Sequence, residues 1–144
     1  MEKSLIEFVN TLDLSLKKLQ KEVGESSGIS KLTIHQFQYI DAIHELGGPT
    51  ITEIAEKLNI TKASVTTGIK KLIQTGYVNK TQSTEDQRVF HVNLSKAGEK
   101  LIKAKYQALK EYGEFIGAAL SKEEASRFEE TLTKIVKLFK KIDH

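Results

Sequence analysis

Across residues 3–23, apolar side chains recur every three or four positions, at Leu5, Phe8, Leu12, Leu16, Leu19 and Val23. That spacing predicts an amphipathic helix with one apolar stripe. Gly24 and Gly28 bracket the sequence GESSG, which predicts a loop ending this helix. A second helix is expected over residues 34–46, with Thr33 as N-cap and Gln36 completing a capping box. Gly47, Gly48 and the chain's single proline, Pro49, stop it. Thr50 with Glu53 opens a third helix that ends near Leu58, and Asn59-Ile60 turns the chain. Thr61 caps a fourth helix, which runs to Gln74 and closes at Gly76.

The period then changes. Phe90, Val92 and Leu94 alternate with His91 and Asn93, as in a half-buried strand. Strands are expected over residues 77–81 and 89–94, around the polar tip QSTEDQR. Ser95 caps a fifth helix reaching Ala119, with a stripe of Leu101, Ala104, Ala108, Tyr112, Phe115 and Ala119. Ser121 and Glu124 form another capping box before a sixth helix, with Phe128, Leu132, Ile135, Phe139 and Ile142 on one face. The fold class is therefore mainly α with a small β-hairpin: a winged helix-turn-helix between N- and C-terminal helices. Three regions are expected, at residues 1–49, 50–95 and 96–144, with the long amphipathic flanks holding the central reader in a dimer.

In the third and fourth helices, Ile54, Ala55, Leu58, Ile60, Val65, Ile69 and Leu72 form one small core. Burying them turns Lys62, Ala63, Thr66, Thr67 and Lys70 outward. Hydroxyls and Ala suit base edges and thymine methyls, and lysines suit phosphates or guanine. Gly68 stands mid-helix, where glycine costs about 1 kcal/mol against alanine; close approach of another backbone would account for it. Arg88, one of two arginines in the chain, lies at the hairpin tip two residues after Asp86. An arginine held there can enter a narrow minor groove.

Charge sharpens this picture. The net charge of +3 is small, but its distribution is uneven. Lys57, Lys62, Lys70, Lys71 and Lys80 fall between Glu56 and Glu85 with no acid among them. The flanking helices mix both signs, as solvated faces do. No cysteine is present, which excludes disulfides, thiolate metal sites and a thiol redox sensor. No apolar run reaches membrane-spanning length and the N-terminus mixes acids into its apolar positions, so a soluble cytoplasmic protein is expected.

These residues carry a resemblance. The chain resembles the MarR family of transcription regulators nearly end to end. The match lies in Thr52-Glu53-Ile54-Ala55 through Leu58, in Thr61-x-x-Ser64-Val65-Thr66, in Leu72 with Gly76-Tyr77-Val78, and in Asp86-x-Arg88 followed by Val92-x-Leu94-Ser95-x-x-Gly98. The resemblance implies a homodimer formed by the first, fifth and sixth helices, a palindromic operator, and in many cases release by a small ligand. Thr61, Lys62, Ala63, Ser64, Thr66, Thr67 and Lys70 are then expected in the major groove of double-stranded DNA, with half-site centres roughly 10 bp apart. Arg88 is expected in the minor groove, its guanidinium oriented by Asp86. Repression by occluding a promoter is the expected activity. Thr81 and Gln87 stand where many relatives carry arginine, which predicts a shallower salt dependence.

The remaining features are weaker. His35, Phe37 and Tyr39 are the residues to test for a small apolar or phenolic effector, in a pocket between the first, second and fifth helices. The same aromatics on apolar stripes also read as plain core. His35, His44, His91 and His144 lack the spacing of a metal pair, so no metal or other cofactor is expected, and His91 is expected to face outward. No nucleophile motif or phosphate loop points to an enzyme. The rival reading is a helical protein-interaction module that does not bind DNA.

Overall fold

Six helices and one hairpin follow one another in the computed structural model, which describes residues 1–27 and 32–142. They are α1 (Glu2–Ser27), α2 (Ile34–Leu46), α3 (Ile51–Leu58), α4 (Lys62–Gln74), β1 (Val78–Gln82), β2 (Phe90–Leu94), α5 (Lys96–Ala119) and α6 (Lys122–Ile142). The helix α1 does not stop at Gly24 but continues to Ser27. A helical glycine costs about 1 kcal/mol and does not by itself end a helix. Gly28, the other expected boundary, lies outside the described residues.

The chain divides into two compact units, Met1–Tyr106 and Gln107–His144, with the boundary inside α5. The first unit holds the core. Ile40 and Ile43 of α2, Ile54 of α3, Val65 and Leu72 of α4, Val78 and Val92 of the hairpin, and Leu101 of α5 are all fully buried. Each such side chain contributes about 1.5–3 kcal/mol relative to exposure. The core therefore draws on residues before position 50 and after position 95, and α2 and the start of α5 are built into the same body as the helix-turn-helix.

The strands pair antiparallel from Val78 opposite Leu94 to Gln82 opposite Phe90. Val89, expected in the strand, belongs to the tip, where its N–H donates to the Asp86 carbonyl at 3.0 Å. Ser95 ties the hairpin to the helices on either side. Its hydroxyl donates to the Gly76 carbonyl at 2.6 Å and accepts the Gly98 N–H at 3.2 Å. Its own N–H donates to the Tyr77 carbonyl at 3.0 Å. A Cβ at Gly98 would stand 2.3 Å from that Tyr77 oxygen, so the first turn of α5 needs a residue without one. This junction is the physical content of the Leu94-Ser95-x-x-Gly98 pattern.

In the second unit, Ser121 and Glu124 make the expected capping box, with Ser121 N–H to Glu124 Oε2 at 2.8 Å and Glu124 N–H to Ser121 Oγ at 3.2 Å. The Ser121 backbone N–H most, and the Ser121 hydroxyl after it, hold the Glu124 carboxyl below its usual range. In the single chain α6 buries none of its residues. Its apolar face, including Phe128, Leu132, Ile135 and Phe139, is exposed. In the first unit Leu5, Phe8 and Leu12 of α1 are likewise exposed. No helix among the described residues is long and apolar enough to cross a membrane.

Candidate nucleic-acid interface

The turn between α3 and α4 is set by Asn59, which takes a left-handed conformation with φ of 51°. Asparagine tolerates that region better than most residues. The Ile60 N–H donates to Ala55 O at 3.0 Å, closing the first helix of the pair. Thr61 opens the second, its Oγ1 accepting the Ser64 N–H at 3.2 Å while its hydroxyl donates to Ser64 Oγ at 2.9 Å. Val65, Ile69 and Leu72 bury the inner face of α4. Lys62, Ala63, Ser64, Thr66, Thr67 and Lys70 are all exposed, as expected.

Two of the outward hydroxyls are not free donors. Thr66 Oγ1 donates to Lys62 O at 2.8 Å and Thr67 Oγ1 to Ala63 O at 3.1 Å. Each therefore presents a methyl group and acceptor lone pairs. Such a surface suits a thymine methyl or the amino group of adenine or cytosine better than a base acceptor.

The hairpin brings two further cations to α4. A groove of about 630 Å³ runs between α3, α4 and the hairpin, and Lys70, Lys80 and Arg88 line it with no acidic side chain. Lys80 Nζ lies 4.1 Å from the centre of the Phe90 ring, which holds this cation on the strand. Among the described residues, Lys70, Lys80 and Arg88 form no ion pair. Lys57 differs: its Nζ lies 2.6 Å from Glu45 Oε2. That hydrogen bond is the main cause that holds the Glu45 carboxyl below its usual range, against the opposing effect of burial. Of the acid-free run of lysines, Lys57 is thus already neutralised by a residue of α2.

At the tip, Asp86 does not reach the Arg88 guanidinium. Its Oδ1 accepts the Arg88 backbone N–H at 3.0 Å. Ser83 Oγ accepts the N–H groups of Glu85 and Asp86 at 3.3 and 3.4 Å, and Gln82 Nε2 donates to Gln87 O at 2.7 Å. The expected orienting role becomes a turn-shaping one, because a short carboxylate two residues upstream meets the backbone first. Lys80 was legible as part of the basic run; its place in the groove follows only from the strand register, opposite Val92.

The three effector candidates separate. Phe37 is buried in the core. His35 and Tyr39 line a shallow groove of about 470 Å³ with Ala63, Ser64, Thr67 and Lys71. This groove lies between α2 and α4, where the expected pocket was to involve the first, second and fifth helices. His91 does not face outward as expected. It is half-buried, and its Nδ1 lies 2.9 Å from Gly48 O, joining β2 to the loop after α2. Among the described residues no group of three or more His, Asp or Glu is placed to hold a metal.

Comparison with known proteins agrees with this architecture. The MarR family model matches residues 32–90. An uncharacterized HTH-type transcriptional regulator of Bacillus subtilis, YhjH, is 33% identical over 86 residues, covering 60% of this chain and 47% of that protein. The chain thus matches about half the length of that relative. The HTH-type transcriptional repressor MdtR of the same organism is 28% identical over 131 residues, covering 81% of this chain and 84% of its own. Among solved structures, Streptococcus pneumoniae FabT in complex with DNA superposes with a TM-score of 0.81 at 23% identity, covering 99% of both chains.

Proposed function

We propose that this chain, whose residues 32–90 match the MarR family model, is a sequence-specific double-stranded-DNA-binding transcription regulator. The observation that carries this reading is the groove in which Lys70 of α4, Lys80 of β1 and Arg88 of the tip converge without an acid. A surface of that kind neutralises phosphates on both sides of a helix laid in the major groove. Lys62, Ala63, Ser64, Thr66 and Thr67 then face base edges, and Arg88 enters the adjacent minor groove. Asp86 contributes by fixing the tip backbone.

The protein acts as a homodimer in this reading. The exposed apolar faces of α1 and α6 are the surfaces that pairing would cover, and the many large apolar side chains exposed on them favour it over solvent exposure. A two-fold dimer reads a palindromic operator with half-site centres roughly 10 bp apart. Occlusion of a promoter makes it a repressor, working in the cytoplasm. Release by a small apolar or phenolic ligand completes the reading, with His35 and Tyr39 the residues to probe. Selection of bound duplexes from a random pool tests the proposal: enrichment of a palindrome supports it, and a pool unchanged after several rounds rejects it.

A further inference from the structure

Gly68 lies in the middle of α4, and a Cβ there would stand 2.1 Å from Cε2 of Tyr39 and 2.8 Å from its Cδ2. The tyrosine belongs to α2 and is only 7% exposed. Its hydroxyl donates to the Ser64 carbonyl oxygen at 3.3 Å. In an α-helix that carbonyl also receives the Gly68 N–H. One α2 side chain therefore grips α4 at two points a turn apart, its hydroxyl at Ser64 and its ring edge at Gly68. Beside it runs the groove of about 470 Å³ lined by His35, Ala63, Ser64, Thr67 and Lys71. That groove leaves room for α4 to settle or roll if the ring is lost.

We propose that Tyr39 is a positioning residue for DNA discrimination: it sets the depth and roll of α4, with Gly68 as its seat. The proposal rests on the DNA-binding reading above. Its physical basis is a difference in tolerance. Base-edge contacts need donor and acceptor within a few tenths of an ångström and well aligned. Long lysine side chains follow a phosphate through larger shifts. A small displacement of α4 thus weakens operator binding more than binding to arbitrary DNA.

The experiment measures operator and scrambled-duplex affinity, with urea unfolding, for the full chain. The variants are Tyr39→Phe, Tyr39→Ala, Gly68→Ala and the double variant Tyr39→Ala/Gly68→Ala, and the operator is one selected from a random pool. Gly68→Ala is expected to lower the operator-to-scrambled ratio about tenfold while scrambled binding stays within about twofold. In the Tyr39→Ala background the added methyl has space, so its further effect on the ratio falls to about twofold or less. Tyr39→Phe, which keeps the ring and the fold, lowers the ratio about threefold through the lost hydroxyl bond. If operator and scrambled affinities fall together with the folded fraction, or if the ratio stays constant across the set, the positioning role is overturned. A wild type that does not discriminate at all removes the DNA-binding reading itself, a separate result.

Discussion

Asp86 accepts the backbone N–H of Arg88 at 3.0 Å, so the carboxylate shapes the hairpin tip and does not hold the guanidinium. The two residues then differ in how they fail. Asp86→Asn keeps an oxygen acceptor and is expected to retain DNA affinity within about 0.5 kcal/mol. Asp86→Ala loses the turn bond and is expected to weaken binding by about 1 kcal/mol. Equal losses in the two variants would mean that the charge acts directly on Arg88.

The lysines are also separable. Lys70→Gln and Lys80→Gln should each reduce the slope of log affinity against log salt by about 1, since each removes one phosphate neutralisation. Lys57→Gln should leave the slope unchanged, because Lys57 is paired with Glu45. A slope change at Lys57 matching those at Lys70 and Lys80 would show that the pair opens on DNA.

Gly98→Ala tests the junction after the wing. Helix propensity alone predicts a gain of about 1 kcal/mol. A Cβ 2.3 Å from the Tyr77 carbonyl predicts the opposite sign, a loss of about 1–3 kcal/mol in urea unfolding. A stabilised variant would show that the first turn of α5 can shift freely.

Much of this arrangement can be read in the chain itself. The outward face of α4 follows from its apolar period, and the helix starts follow from Thr33, Thr61 and Ser121. Contacts between elements do not. Gly68 signals a close approach, but its partner is the Tyr39 ring, a side chain and not a backbone. Lys57 looks like a free cation until α2 is placed beside α3. His91 looks like a solvent-facing strand residue until the loop carrying Gly48 closes over it. Each of these depends on tertiary placement, which periodicity does not encode. The end of α1 failed for a local reason: Gly24 lowers helix stability without preventing continuation to Ser27.

The Glu45–Lys57 pair gives a pH dependence. The folded state lowers the Glu45 pKa from its usual 4.5, chiefly through the Lys57 hydrogen bond. The stabilisation is therefore fully present above about pH 4.5 and is lost as pH falls through the lower folded value. Glu45 is half-exposed, so solvent screening keeps the effect small. Glu45→Gln should flatten the acid side of the stability profile and leave the slope near neutrality unchanged. A change confined to alkaline pH would contradict the assignment.

The apolar face of α6 supplies a further prediction. If the proposed homodimer forms through this face, Leu132→Glu with Ile135→Glu should give a monomer in sedimentation and weaken operator binding, since one half-site alone would remain. A variant that stays dimeric would place the interface elsewhere.

In the proposed function, α4 and the wing read a DNA sequence together. Its most direct test is a fluorescence-anisotropy titration of the duplex upstream of the protein's own gene, against scrambled competitor, with wild type and Arg88→Ala. Competitor-resistant binding by the wild type, weakened by about 1–3 kcal/mol in the variant, is expected. Equal affinity for both duplexes, unchanged by Arg88→Ala, would contradict it.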